Sequence, residues 1–275
     1  MIGYDTAPLC REWDTARRKH PFFVEKLSES EIEECWERSS KTYTGNNYSG
    51  IQEKAIKELK EKKIVDPNRT MIDIGCGPGT YAIPLSKMMK SIDCMDASIG
   101  MINKARENCE LNNVTNVKFL HKDWNKYEPC KDYDVAFTSL CPPTNTPDSI
   151  LKMETCAKDL CVYISSANKD SKLSIKIWKG IGKKYSFEGY NTRYPYEFLK
   201  SIGRSPELKM LTEPIVTDIP VEEAIENEIK RMSLRIEITE EVKEVIRDAV
   251  GDYSEDSRFH YESKMTVGML TWAPI

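Results

Sequence analysis

A chain of 275 residues, 40% hydrophobic and 31% charged, has the apolar side chains for a real core and lacks an apolar run long enough to span a membrane. Met1 to His20 mixes Asp5, Arg11, Glu12, Asp14, Arg17 and Arg18 with few apolar residues, so no secretory signal is expected there. A net charge of -4 opposes non-specific nucleic-acid binding, and nine cysteines without a CxxC pair suit a reducing cytoplasm better than a disulfide framework.

The first stretch, residues 1–50, reads as helical and carries Trp13, Phe22, Phe23, Trp36 and Tyr43. From residue 51 to 170, helices alternate with short apolar runs, the pattern of a parallel sheet covered on both faces. Ile51, Ala55 and Leu59 mark an amphipathic helix, and Thr70 to Ile74 a buried strand that runs into Gly-Cys-Gly-Pro-Gly. A helix with Ile83, Leu85 and Met88 follows, then a strand from Ser91 to Met95 and a helix with Ile99, Ile102, Ala105 and Cys109 on one side. Val117 to Leu120, Tyr133 to Leu140 and Leu160 to Ser165 are further strands, with a helix over Pro147 to Ala157 before the last of them. Residues 171–275 begin with a helix at Ser171, followed by an aromatic-rich stretch from Tyr185 to Phe198 and a helix end at Gly203. Leu208 to Ile219 reads as a strand interrupted at Pro214. Pro220 and Thr239 each open a helix, and Met265 to Trp272 is the last strand.

The chemistry concentrates on Asp73-Ile74-Gly75-Cys76-Gly77-Pro78-Gly79, where a strand gives way to a helix. Glycines there permit a tight turn and let a ligand lie against main-chain N–H groups. Asp96 ends the next strand about 20 residues on, a place from which a carboxylate can accept from both hydroxyls of a ribose. Thr80 stands where a dinucleotide-binding loop would place its third glycine. Asp73 could anchor an ammonium group, and Asp123-Trp124 after the third strand could bind an adenine amino group and cover the base.

These features resemble the class I S-adenosylmethionine-dependent methyltransferase family, as do Tyr133-Asp134-Val135-Ala136-Phe137 with the loop after it, and Trp36-Glu37-Arg38 with Tyr43. The resemblance covers about Trp36 to Ala167. It implies an α/β, Rossmann-like, seven-stranded and mostly parallel sheet with helices on both faces. An N-terminal helical lid over 1–50, a cofactor-binding core over 51–170 and a C-terminal part of the core with a helical insertion over 171–275, capping the acceptor, complete that expectation. It implies S-adenosyl-L-methionine as cofactor, held by Tyr43, Asp73, Gly75, Cys76, Gly77, Asp96, Ala97, Asp123, Trp124 and Ser139.

The acceptor is less legible. Leu140-Cys141-Pro142-Pro143 lacks the Asn of the Asn-Pro-Pro-aromatic loop of amino-methylating nucleic-acid and glutamine enzymes, which together with the acidic charge points to a small-molecule acceptor. An RNA or protein methyltransferase, and a binding module without transferase activity, stay open. So does transfer of the aminocarboxypropyl chain. Lys169, Lys172, Lys176, Lys179 and Lys183 could dock RNA, although a charge stripe beside an apolar one is ordinarily the solvated face of a helix. Cys141, Cys156 and Cys161 suggest a thiolate metal site, against the plainer reading as small buried hydrophobes, and no metal is expected. His20, His121 and His260 have no metal-ligand spacing. Methyl transfer from a sulfonium needs alignment more than acid–base catalysis, so no catalytic residue is named.

Overall fold

The computed structural model describes residues 6–19, 36–37, 40, 49–129, 132–169, 172–183, 185, 190–233 and 236–275. Among the described residues, eight strands make one sheet: β1 (Thr70–Ile74), β2 (Ser91–Asp96), β3 (Val117–His121), β4 (Tyr133–Ser139), β5 (Ala157–Lys169), β6 (Glu207–Pro220), β7 (Ser254–Glu255) and β8 (Arg258–Trp272). Seven follow the order β3-β2-β1-β4-β5-β8-β6, while the two-residue β7 pairs only with β8. The first five pair in parallel and β8 runs antiparallel to both β5 and β6. The mostly parallel sheet is therefore the expected one, with β7 as an addition.

The helices are α1 (Ala7–Lys19), α2 (Ser49–Glu61), α3 (Ala82–Ser86), α4 (Ile99–Leu111), α5 (Pro147–Glu154), α6 (Lys172–Gly180), α7 (Tyr190–Ser201), α8 (Val221–Ser233) and α9 (Glu240–Gly251). Alternation along the strands sorts the core into two faces. Met71, Ile92, Val135 and Phe137 pack with Ile51, Ala55 and Leu59 of α2. Ile72, Ile74, Ala136 and Tyr163 pack with Ile150 and Met153 of α5, Phe198 of α7 and Trp13 of α1. The α1 and α7 helices meet where the Trp13 ring stacks on Tyr194, with centroids 6.3 Å apart. Cys156 and Cys161 belong to this second face as fully buried side chains outside any disulfide.

Several boundaries differ from the sequence reading, β8 among them, which starts at Arg258 rather than Met265. The helix opened by Pro147 stops at Glu154, because β5 already begins at Ala157. The strand expected to break at Pro214 runs through it, since β6 is the edge of the sheet and a missing N–H is tolerated there.

The long partner of β6 explains the C-terminal third. β6 and β8 stay paired from Glu207↔Thr271 to Pro220↔Arg258, whereas β5 follows β8 only as far as Lys169↔Met265. The distal half of this ribbon thus projects roughly 20 Å past the carboxyl end of β5. On it sits a third apolar cluster: Leu173 and Ile177 of α6, Ala224 and Ile225 of α8, Ile246 and Ala249 of α9, and Phe259 and Tyr261 of the ribbon. With Leu173 and Ile177 buried, Lys172 and Lys179 are left exposed and Lys176 pairs with Asp252. That is the solvated helix face rather than a continuous docking stripe. No helix among the described residues is long and apolar enough to cross a membrane.

Candidate functional site

The glycine loop leaves β1 at its carboxyl end, the end of the sheet past which the β6–β8 ribbon projects. Gly75, Gly77 and Gly79 all have positive φ, at 74°, 54° and 84°. Gly75 is required by packing as well. A Cβ there would overlap Cys141 Sγ and lie 2.8 Å from Cys141 Cβ, so the loop after β4 fills the room that Gly75 leaves. The Gly75 and Cys76 N–H groups both donate to Met95 O, at 2.8 and 2.9 Å, which ties the end of β1 to the end of β2. Gly77 is different, for a Cβ on it would meet no atom within 4 Å. Its backbone borders open space, as a surface that accepts a ligand must.

Asp96 lies across from that space. Its Oδ2 accepts from Gly77 N–H and its Oδ1 from Ser98 N–H, both at 2.9 Å. Burial raises its pKa, and these backbone donors oppose the rise. Each carboxylate oxygen keeps acceptor capacity for a further donor. Asp73 is 2% exposed, and its Oδ2 has no hydrogen-bond partner. Burial, and after it the nearby Asp96 charge, push its carboxyl up to about 7. A buried acceptor left without a donor beside open backbone suits the ammonium and hydroxyl donors of S-adenosylmethionine.

The other expected positions are placed as follows. Cys76 is buried, and its thiol is raised well above the ordinary range by Cys94 and by burial. Ala97 O lies 2.9 Å from His121 Nε2. Ser139, at the end of β4, has a buried Oγ without a partner, and it precedes Leu140, whose φ is 50°. Burial pushes the Cys141 thiol up to about 12, which disfavours a thiolate role. Asp123 accepts Asn125 N–H at 2.9 Å and caps its own turn. Trp124 departs from expectation. Its ring is 4% exposed among Ile150 and Met153, donates to Ser149 Oγ at 3.3 Å and stacks on Tyr127. The apolar surface of an indole gains more from that core than from standing over a base at the surface, so the ring is not a ready cover for adenine. Tyr43 lies outside the described residues, as do His20 and Phe187. Among the described residues no group of three or more His, Cys, Asp or Glu is placed to hold a metal.

Two residues escaped the site reading. Ser98 caps α4 by accepting Met101 N–H at 3.1 Å. Glu37, 61 residues before Ser98 in the chain, accepts from Ser98 Oγ at 3.0 Å and from Gly100 N–H at 2.8 Å. Ser98 before an apolar helix was a readable cap signal; nothing in the sequence marked Glu37 as its partner. Near the loop after β4, a cavity of about 240 Å³ opens between Trp13, Asp14 and Arg17 of α1 and residues Asn145 to Asp148. Trp13 Nε1 donates to Asn145 Oδ1 at 3.2 Å at its wall.

A family profile described as a methyltransferase domain matches residues 71–158, from β1 into β5. A Haemophilus influenzae protein is 25% identical over 128 residues, 46% of this chain and 47% of that protein. A tRNA/tmRNA (uracil-C(5))-methyltransferase of Campylobacter concisus is 38% identical over 73 residues, 26% of this chain and 19% of that enzyme. A solved Bacillus halodurans structure assigned to the methyltransferases has a TM-score of 0.53 at 13% identity, covering 79% of this chain and 97% of that one. The chain spans less than half the length of the curated relatives it matches. Residues 71–158 thus match a methyltransferase domain, and the chain has a Rossmann-like fold similar to that of the solved structure. Domains of this family use S-adenosylmethionine as methyl donor.

Two substitutions test the site directly. Asp96→Ala is expected to weaken S-adenosylmethionine binding by about 1–3 kcal/mol, through loss of charge-assisted bonds to the ribose. Calorimetry giving wild-type affinity in a folded variant would remove Asp96 from the site. Gly77→Asn places a side chain in the open space while Asn tolerates the positive φ. Binding should be lost with the melting temperature little changed; retained binding would make the loop only a turn.

Proposed function

We propose that the protein transfers the methyl group of S-adenosylmethionine to a small-molecule acceptor. The observation that carries this reading is the β6–β8 ribbon, which extends past the carboxyl ends of the parallel strands with α6, α8 and α9 packed on it. Ligands of open α/β sheets sit beyond those ends, and additions there set specificity. The Trp13–Asn145 contact and the cavity beside it support a place for α1 on the proposed acceptor side. Residues 1–50 as lid, 51–170 as cofactor-binding core and 171–275 as the part that brings the acceptor cap are proposed on this basis.

The cofactor supplies a methyl group already activated on a sulfonium. The chain's part is alignment and exclusion of water. Gly75, Cys76 and Gly77 would hold the cofactor against backbone, Asp96 its ribose and Asp73 its ammonium. Ala97, Asp123, Trp124, Ser139 and Tyr43 complete the proposed set, Trp124 through its main chain given the burial of its ring.

The match to an RNA methyltransferase favours a second reading, with RNA as acceptor, but it spans only 19% of that enzyme. Calorimetry with S-adenosylmethionine, S-adenosylhomocysteine and NAD should show binding of the first two only. Labelled methyl groups should then appear in the low-molecular-weight fraction of a cell extract. Label in RNA or protein would replace the small-molecule reading, and binding without any turnover would leave a module.

A further inference from the structure

We propose that Glu37 is a positioning residue, which latches the segment before the core onto the cofactor-facing carboxylate Asp96 by way of Ser98. The inference rests on the reading of Asp96 as a cofactor ligand and adds to it a residue outside the methyltransferase domain.

Ser98 is 1% exposed and uses every polar atom it has. Its N–H donates to Asp96 Oδ1, its Oγ accepts Met101 N–H, and its hydroxyl proton goes to Glu37 Oε2. The same Glu37 oxygen accepts the N–H of Gly100, the second residue of α4. Helix starts leave such N–H groups without intrahelical partners. Here the serine cap satisfies one, and a carboxylate from 63 residues earlier satisfies another. The negative charge stands at the positive end of a 13-residue helix.

The contact is close on the helix side. A Cβ on Gly100 would overlap Ser40 Oγ and lie 2.6 Å from Glu37 Oε1, so both side chains would have to move to make room for it. Ser40, 8% exposed, donates in turn to Glu37 O at 2.7 Å. One serine therefore joins two carboxylates, Asp96 on the ligand side and Glu37 on the segment side. Anything that orders Asp96 orders Ser98, and through it the docking of Glu37. The coupling is reciprocal, so a docked Glu37 slows escape of a ligand held by Asp96.

The test uses the full chain and S-adenosylhomocysteine, with binding and release followed by stopped flow. Glu37→Ala is expected to speed release about tenfold or more, the loss of one to two charge-assisted hydrogen bonds, with the association rate changed less than about threefold. Glu37→Gln keeps an acceptor oxygen and should return release to near the wild-type rate. Gly100→Ala leaves Glu37 in place but denies it room. Because alanine favours helix, faster release in that variant could not be blamed on a weakened α4. Hydrogen exchange at Gly100 and Met101 should rise in Glu37→Ala. Release rates and exchange equal to wild type in Glu37→Ala and Gly100→Ala would overturn the latch. If the wild-type chain itself fails to bind S-adenosylhomocysteine, the methyltransferase reading falls first, and the two failures are told apart by that control.

Discussion

Asp73→Asn is expected to stabilise the protein at pH 8 by roughly 3–5 kcal/mol while removing most of its affinity for S-adenosylmethionine. The carboxyl is buried, and burial, then Asp96, push it up to about 7. With its pKa raised above the unfolded value near 4, the native state holds the proton more tightly than the unfolded chain does. Its contribution to stability is thus fully present below about pH 4, declines as pH rises towards 7, and stays lost above that. Asparagine carries no such dependence. Urea unfolding should show the gap between variant and wild type growing by about 2–3 kcal/mol from pH 5 to pH 8. A gap that does not change with pH would mean that Asp73 is ionised without strain. For the ligand the sign is opposite, because an ammonium favours the carboxylate, so wild-type affinity should increase as pH rises through about 7. On the proposed role of Asp73, stability is given up for binding.

Glu154→Ala is expected to cost about 3–5 kcal/mol of folding stability, the penalty for leaving one member of a buried ion pair alone. Glu154 is 7% exposed and accepts three bonds, from Arg204 Nε at 2.8 Å, Arg204 Nη2 at 2.7 Å and Trp272 Nε1 at 2.8 Å. The carboxylate joins the end of α5, the residues just after α7 and the end of β8. Chemical denaturation measures the loss, and a change below about 1 kcal/mol would show that water reaches Arg204 once the glutamate is gone. The double variant Glu154→Leu with Arg204→Met should recover much of the loss, since neither charge is then buried.

The legible part of the molecule was the part in which sequence neighbours also do the work. Thr70 to Ile74 with Gly75-Cys76-Gly77, and Asp96 at the end of β2, could be read because a buried strand, a turn and an acceptor are each written in a few consecutive residues. The ribbon was harder. Its distal half alternates Phe259, Tyr261 and Ser263 inward with His260 and Glu262 outward, a period-two signal, yet the polar half masked a strand that starts at Arg258. Pro214 looked like a break, because the sequence does not say which strand lies at an edge. Trp124 followed Asp123 in the right place, but whether an indole faces a ligand or the core depends on Ile150, Met153 and Ser149, which come from another element. Glu37 acts through a contact that only folding creates.

The place of β8 also orders how the sheet can come together. It lies between β5 and β6 although it follows both in the chain, so β6 has no sheet neighbour until β8 is seated. Among the five parallel strands, β1–β2, β2–β3 and β4–β5 join neighbours in sequence, and one crossover pairs β1 with β4. The edge strand and the three helices on the ribbon depend instead on a late, long-range insertion. Opening should therefore proceed by units: β6, β8 and their helices exposing their amides together, at a lower free energy than β1, β2 and β4. The half of the molecule that would recognise the acceptor is thus the half that can let go of it, with the cofactor's half still folded.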